Sequence, residues 1–138
     1  MLTDGKGIPL AVVVDGANRH DMKLVEPTLS HLMIERPQPT EETPQHLCMD
    51  KGYDYPSVRE LVEVLGYSPH IRSRGEEKQA KAHIPGYRAR RWVVERTHSW
   101  LNRFRRLLIR WEKKVENYEA MLYFACAWIV FRSTGLFG

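Results

Sequence analysis

Three short apolar runs, Ile8–Val14, His46–Met49 and Tyr67–Ile71, alternate with segments whose apolar residues recur at helical spacing. Strands alternating with helices confine a chain to α/β architecture, with helices packed against a mostly parallel sheet. Asp4-Gly5-Lys6-Gly7, just before the first run, is a hairpin-turn signal. It adds an antiparallel edge and makes the expected sheet a mixed one. Only Met1, Leu2 and Thr3 precede that turn, fewer than the roughly five or six residues of an ordinary strand. The sequence therefore reads as a sheet truncated at its N-terminus.

The connecting segments carry their own start and stop signals. Asp21 is placed to cap a helix bearing Leu24, Val25, Leu29, Leu32 and Met33. Pro56 suits the first turn of another helix, with Val58, Leu61, Val62 and Leu65 on one face and Gly66 as its stop. Arg36–Gln45, with three prolines, reads as a surface loop, and the polar stretch 72–86 as a flexible one. Two helices, about Tyr87–Trp111 and Val115–Arg132, close a single domain spanning 1–138.

At 138 residues the chain can build one core and little more. Its net charge of +4 hides an asymmetry: 14 Lys/Arg face 4 Asp/Glu between His70 and Lys114, while the remainder carries 7 against 13. One basic region on an otherwise acidic chain points to a polyanionic partner contacted by that region. Cys48 and Cys126 match no zinc spacing and read as buried reduced thiols. No signal peptide is evident, and the longest apolar run, Met121–Phe131, is too short to span a bilayer. A cytoplasmic chain without a membrane partner is the expectation. No phosphate-binding loop, nucleophile elbow or zinc constellation occurs.

The basic region holds one anomaly. Glu95 is the only carboxylate among the seven arginines of Arg90–Trp111. On a helical wheel, Val93, Thr97, Trp100, Phe104, Leu108 and Trp111 fall opposite Glu95, which shares its face with Arg91, His98, Ser99, Asn102 and Arg106. Alone, Glu95 would be a surface ion pair with Arg91, worth about 0.3–0.5 kcal/mol. Asp50 alters that reading. It ends the run His46–Met49, at the strand rim where open α/β sheets place ligands. A carboxylate on a strand end and another on a late helix, inside a basic chain, fit metal-dependent phosphoryl transfer. Mg2+ takes oxygen ligands, a few from carboxylates and the rest from water and phosphate. Asp50 and Glu95 are thus the candidate catalytic and metal-binding residues. Arg90, Arg91, Arg96, Arg103, Arg106 and Arg110 are candidates to hold a phosphodiester backbone. Lys51 and Tyr53 are placed to touch phosphate or stack on a base, and His98 to support a metal-bound carboxylate.

CMDKGYD (Cys48–Asp54) followed by RARRWVVERTHSWLNRFRRLLIRWEK (Arg88–Lys113) resembles the C-terminal part of a bacterial insertion-sequence DDE transposase with an RNase H-like fold. DGKGIPLAVVVDGANRHD (Asp4–Asp21) is similar to that family's central strands. The resemblance implies that Asp50 is the second acid of the triad and Glu95 the third. It further implies Mg2+ (or Mn2+) as cofactor, and double-stranded DNA, both element ends and target, as partner. The reaction it implies is DNA cleavage and strand transfer. The family's first Asp precedes the opening hairpin, so neither Asp4 in the turn nor Asp15 at a strand end matches it. Of the family's further pattern, Arg91 fits, whereas Tyr87 is one residue early and Asn102 stands where a basic residue is usual. An isolated chain is therefore expected to bind DNA and to lack efficient catalysis, and to self-associate or associate with an upstream transposase fragment. The rival expectations are a non-catalytic DNA-binding regulator and a free-standing two-carboxylate nuclease.

Overall fold

A computed structural model describes residues 1–72, 74–83 and 92–136. The opening hairpin forms as its turn chemistry dictates. Asp4 Oδ1 accepts hydrogen bonds from the backbone N–H groups of Lys6 and Ile8, both at 2.8 Å, and Gly7 N–H donates to Asp4 O. This turn joins β1 (Leu2–Thr3) to β2 (Pro9–Ala11) in antiparallel pairing, with a register irregularity between Leu2 and Thr3. β3 (His46–Met49) and β4 (Ser68–Ile71) pair in parallel, His46 opposite Ser68 and Met49 opposite Ile71. Between them lies α2 (Pro56–Val64), which starts on Pro56, buries Val58 and Val62, and ends where Gly66 takes φ +79. Arg36 donates to Leu65 O at 2.6 Å and closes that helix end.

The chain is α/β, but the mixed sheet expected from the sequence is two separate two-stranded sheets, β1–β2 and β3–β4. Among the described residues no strand joins them. A two-stranded pair alone is marginal, and both sheets lean on two apolar clusters, Leu2 of β1 packing against the one that holds Leu47 of β3. Val12 packs with Leu101, Leu122, Ala125, Cys126 and Ile129 in one cluster; Val25, Leu47, Val58 and Val62 form the other.

Several expected boundaries move. Asp21 caps no helix; it opens a 3-10 turn, Asp21–Leu24, that leads into α1 (Val25–Ser30), and Met33 lies almost fully exposed beyond it. The expected flexible loop at 72–86 carries α3 (Arg74–His83). Its sequence, RGEEKQAKAH, has no core stripe, yet Glu, Gln, Lys and Ala are strong helix formers, so propensity decides where burial does not. His46–Met49 is less buried than expected, with Leu47 buried, Met49 partly buried against the same cluster and Cys48 exposed.

The largest correction concerns the long basic helix. It begins within the described residues as α4 (Trp92–Leu101) and stops there. Arg103 N–H bonds to Trp100 O and Phe104 N–H to Leu101 O, tightening the chain into a turn. Phe104 is then extended, and only α5 (Arg105–Leu108) follows. The break lets Phe104 and Leu107 turn back onto the first cluster, while Leu108 and Trp111, expected on the core stripe, are exposed. Up to Leu101 the stripe holds, with Val93, Thr97 and Leu101 buried. α6 (Val115–Ser133) closes the chain and buries Leu122, Ala125, Cys126 and Ile129. No helix among the described residues is long and apolar enough to cross a membrane.

Candidate functional site

A clamp between the opening turn and α4 fixes the orientation of Glu95. Thr97, fully buried, donates from Oγ1 to Gly7 O at 2.6 Å. Arg96 donates from Nη2 to Lys6 O, and its guanidinium lies 4.5 Å from the Trp92 ring centre and 5.3 Å from that of Trp100. Held between two indoles, with its enclosed Nε lacking a partner, Arg96 acts as a strut of the fold. DNA backbone is the expected partner of Arg96; within the protein its guanidinium meets Lys6 O and the two indoles. With Val93, Thr97 and Leu101 turned inward, Glu95 emerges exposed on the opposite side of α4.

Glu95 and Asp50 line the same cavity, about 1100 Å³ in volume. Its wall draws on Leu2 of β1, His46–Met49 of β3, the 3-10 turn at Asp21–Leu24 and Trp92–Glu95 of α4. The two half-sheets therefore border one space. Asp50 caps the 3-10 turn Lys51–Tyr53, its Oδ1 accepting from Gly52 N–H at 2.8 Å. The turn-forming role and the cavity-lining role coexist in one carboxylate, because capping engages a single oxygen. Tyr53 lines the cavity half-buried, and burial raises its phenol above the usual value, with Asp21 and Asp50 adding to the rise. It stays a neutral donor beside those acids.

The cavity also holds residues that the sequence reading left as turn or strand positions. Asp21 brings a third acidic side chain to its wall, and Arg72 a cation. His46 Nδ1 and His70 Nε2 lie 2.8 Å apart across β3 and β4. The signal that could have found them is alternation. His46 and Cys48 alternate on β3 and His70 lies opposite Cys48 on β4, so the three share a sheet face, with Asp50 and Arg72 two residues further on, just past the strand ends. His98 lines the cavity as well. Among the described residues, no three His, Cys, Asp or Glu side chains are close enough to close around a metal ion. Mg2+ is ordinarily held through one or two carboxylates and completed by water and phosphate. The hard oxygen donors of Asp50 and Glu95 fit such an ion.

The remaining cations are distributed differently from the expected cradle. Arg90 and Arg91 lie outside the described residues. Lys51 pairs with Asp54 at 3.1 Å. Arg106 pairs with Glu112 at 3.1 Å, and Arg110 lies over Tyr118, so both tie the chain beyond α4 to itself. Arg103 is exposed in the turn after α4.

Asp54 is bound most firmly of the acids beside Asp50. Arg59 donates to its Oδ1 from Nε at 2.9 Å and Nη2 at 2.7 Å, and this contact, with Lys51, holds its carboxyl below the ordinary value of 3.8. A depressed carboxylate contributes stability above its unfolded pKa and loses it as pH falls through the folded one. Stability should therefore drop below about pH 4 more steeply in the native chain than in Asp54→Asn, measured by urea unfolding at a series of pH values. Parallel curves would show that this contact contributes nothing.

The family model for the transposase DDE domain matches residues 1–130. The chain is 36% identical over 132 residues to a protein of Burkholderia cepacia named as the transposase for insertion sequence element IS402, covering 94% of this chain. It spans 60% of the length of that relative. No solved structure matches. A match over nearly the whole chain, together with an acid-lined cavity bordered by β3 and α4, leaves one assignment: the chain belongs to the transposase DDE domain family.

Proposed function

We propose that this chain forms part of the catalytic domain of an insertion-sequence transposase that cleaves DNA at element ends and joins them to a target. The observation that carries this reading is the shared cavity of Asp50 and Glu95, two hard-oxygen ligands on separate elements of a family whose name is built on acidic residues. Bound there, Mg2+ or Mn2+ would activate the attacking oxygen and neutralise the leaving one in an in-line displacement. The residues of this chain do the rest. Asp50 and Glu95 hold the ion, Tyr53 donates from its phenol, and Arg72 and Arg103 offer charge to the phosphodiester backbone.

The reading includes an RNase H-like arrangement in which the two half-sheets are joined by a further strand. The cavity bordered by β1 and β3 supports it, since an extended segment there would add a strand and could carry a third carboxylate. The test is a chimera: the IS402 transposase with its matched region replaced by this chain, assayed for Mg2+-dependent nicking of duplex DNA. Nicking lost on Asp50→Asn supports the proposal. Nicking that survives it assigns the chemistry elsewhere, and DNA binding without any nicking favours a regulatory role.

A further inference from the structure

The turn that carries Asp50 is a small unit. Lys51–Tyr53 is one 3-10 turn, closed by Tyr53 N–H on Asp50 O and Asp54 N–H on Lys51 O, both at 3.1 Å. Two such bonds hold little by themselves. The far end of the turn is secured by Asp54, both of whose oxygens are engaged. Arg59 donates to Oδ1 from Nε and Nη2, and Lys51 Nζ lies 3.1 Å from Oδ2. Arg59 stands on α2, whose Val58 and Val62 are buried in the cluster that also holds Leu47 of β3. Its Nη2 also reaches Ile71 O, a long contact of 3.5 Å at the end of β4. Ile71 is paired with Met49, the residue before Asp50. One guanidinium thus touches both the turn that follows Asp50 and the strand that runs beside it.

We infer that Arg59 is a positioning residue for the metal site, a role that rests on the reading of Asp50 and Glu95 as ligands of one ion. Through Asp54 it holds the Lys51–Tyr53 turn so that the Asp50 carboxylate faces the ion shared with Glu95. Asp50 Oδ1 is occupied by Gly52 N–H, so the turn sets where its second oxygen points. A turn anchored at its start alone can swing. A guanidinium suits the task because its planar fork engages Asp54 and the Ile71 carbonyl at once, which the single ammonium of a lysine cannot. As an ion pair near the surface, Arg59–Asp54 stabilises the fold only modestly. Groups that orient a metal's ligands have larger effects on the ion itself, roughly 10–100-fold in affinity. Charge alone gives the opposite sign. Removing a cation beside the site of a divalent ion should tighten binding, whereas losing the latch should weaken it.

Two NMR readouts on the intact chain test this, one without ion and one with it. In the ion-free protein, Arg59→Gln should move the Gly52 amide signal, which reports the Asp50 cap, with an unchanged circular dichroism spectrum. With Mn2+, joint broadening at Asp50–Gly52 and Glu95 should require about 10–100 times more ion in Arg59→Gln than in the native chain. Asp54→Asn should do the same, and the double variant no more than either alone, since both changes open one latch. Arg59→Lys, which keeps the charge without the fork, should lie between. A Gly52 signal indifferent to Arg59→Gln overturns the latch whatever the ion does, and so does an ion affinity that holds or rises. Additive losses in the double variant overturn action through Asp54. A native chain without joint broadening, in which Gly52 still moves on Arg59→Gln, overturns the shared-ion reading and reduces the latch to a feature of the turn.

Discussion

Gly7→Ala is expected to destabilise the fold by about 2–4 kcal/mol, lowering the melting temperature by roughly 10 °C, whereas Gly5→Ala in the same turn should change it little. Gly7 sits at φ +83, where a side chain costs about 1–2 kcal/mol. A Cβ there would also lie 3.1 Å from both Thr97 Oγ1 and Val93 O. Relieving that contact means moving the turn off α4 and stretching the Thr97–Gly7 hydrogen bond, which is buried and worth about 1 kcal/mol. A Cβ on Gly5 meets nothing within 4 Å. Thermal unfolding of the two variants decides the matter. Equal, small effects would mean that the clamp between turn and helix contributes nothing to the fold.

The clamp matters because it couples stability to the site. Gly7, Thr97 and Arg96 fix the rotation of α4, and that rotation sends Glu95 toward the cavity. In the chimeric transposase, Asp50→Asn and Glu95→Gln are each expected to lower Mg2+-dependent nicking by roughly 10²–10³-fold, about 3–4 kcal/mol of transition-state stabilisation. Each replacement keeps the shape of the side chain and removes the negative charge that an ion needs. The amide oxygen that Asp50→Asn introduces can still accept from Gly52 N–H, so the turn that Asp50 caps should persist. Single-turnover nicking on a supercoiled plasmid measures the effect. A loss under tenfold for both variants would mean that neither carboxylate holds the ion.

How far the sequence foretold this site depends on the type of signal. The opening turn, the α2 start at Pro56 and its stop at Gly66 were legible because turn and cap chemistry is local. Val93, Thr97 and Leu101 followed from helical periodicity. The break after Leu101 was not legible. No Pro or Gly marks it; it comes from Phe104 and Leu107 packing onto the cluster that α6 completes, a tertiary effect that overrides a continuous helical pattern. Arg96 illustrates the same limit. Its charge suggests a phosphate ligand, and only the fold shows that two tryptophans one turn away on either side and the Lys6 carbonyl also contact the guanidinium. α3 escapes a reading by periodicity for the opposite reason, because its sequence has helix propensity without an apolar stripe. Asp50 and Glu95, far apart in the chain, are paired in the sequence by their strand-end and helix positions and by the resemblance, but only the fold brings them to one cavity.

The most direct test of the account is where a divalent ion binds on the intact chain. Mn2+ titrated into the isotope-labelled protein should broaden the backbone amide signals of Asp50–Gly52 and of Glu95 together, at the same low concentrations, with both effects lost in Asp50→Asn. Broadening confined to the exposed acids Glu41 and Glu42, or effects at Asp50 and Glu95 that titrate separately, would contradict a shared metal site in this cavity.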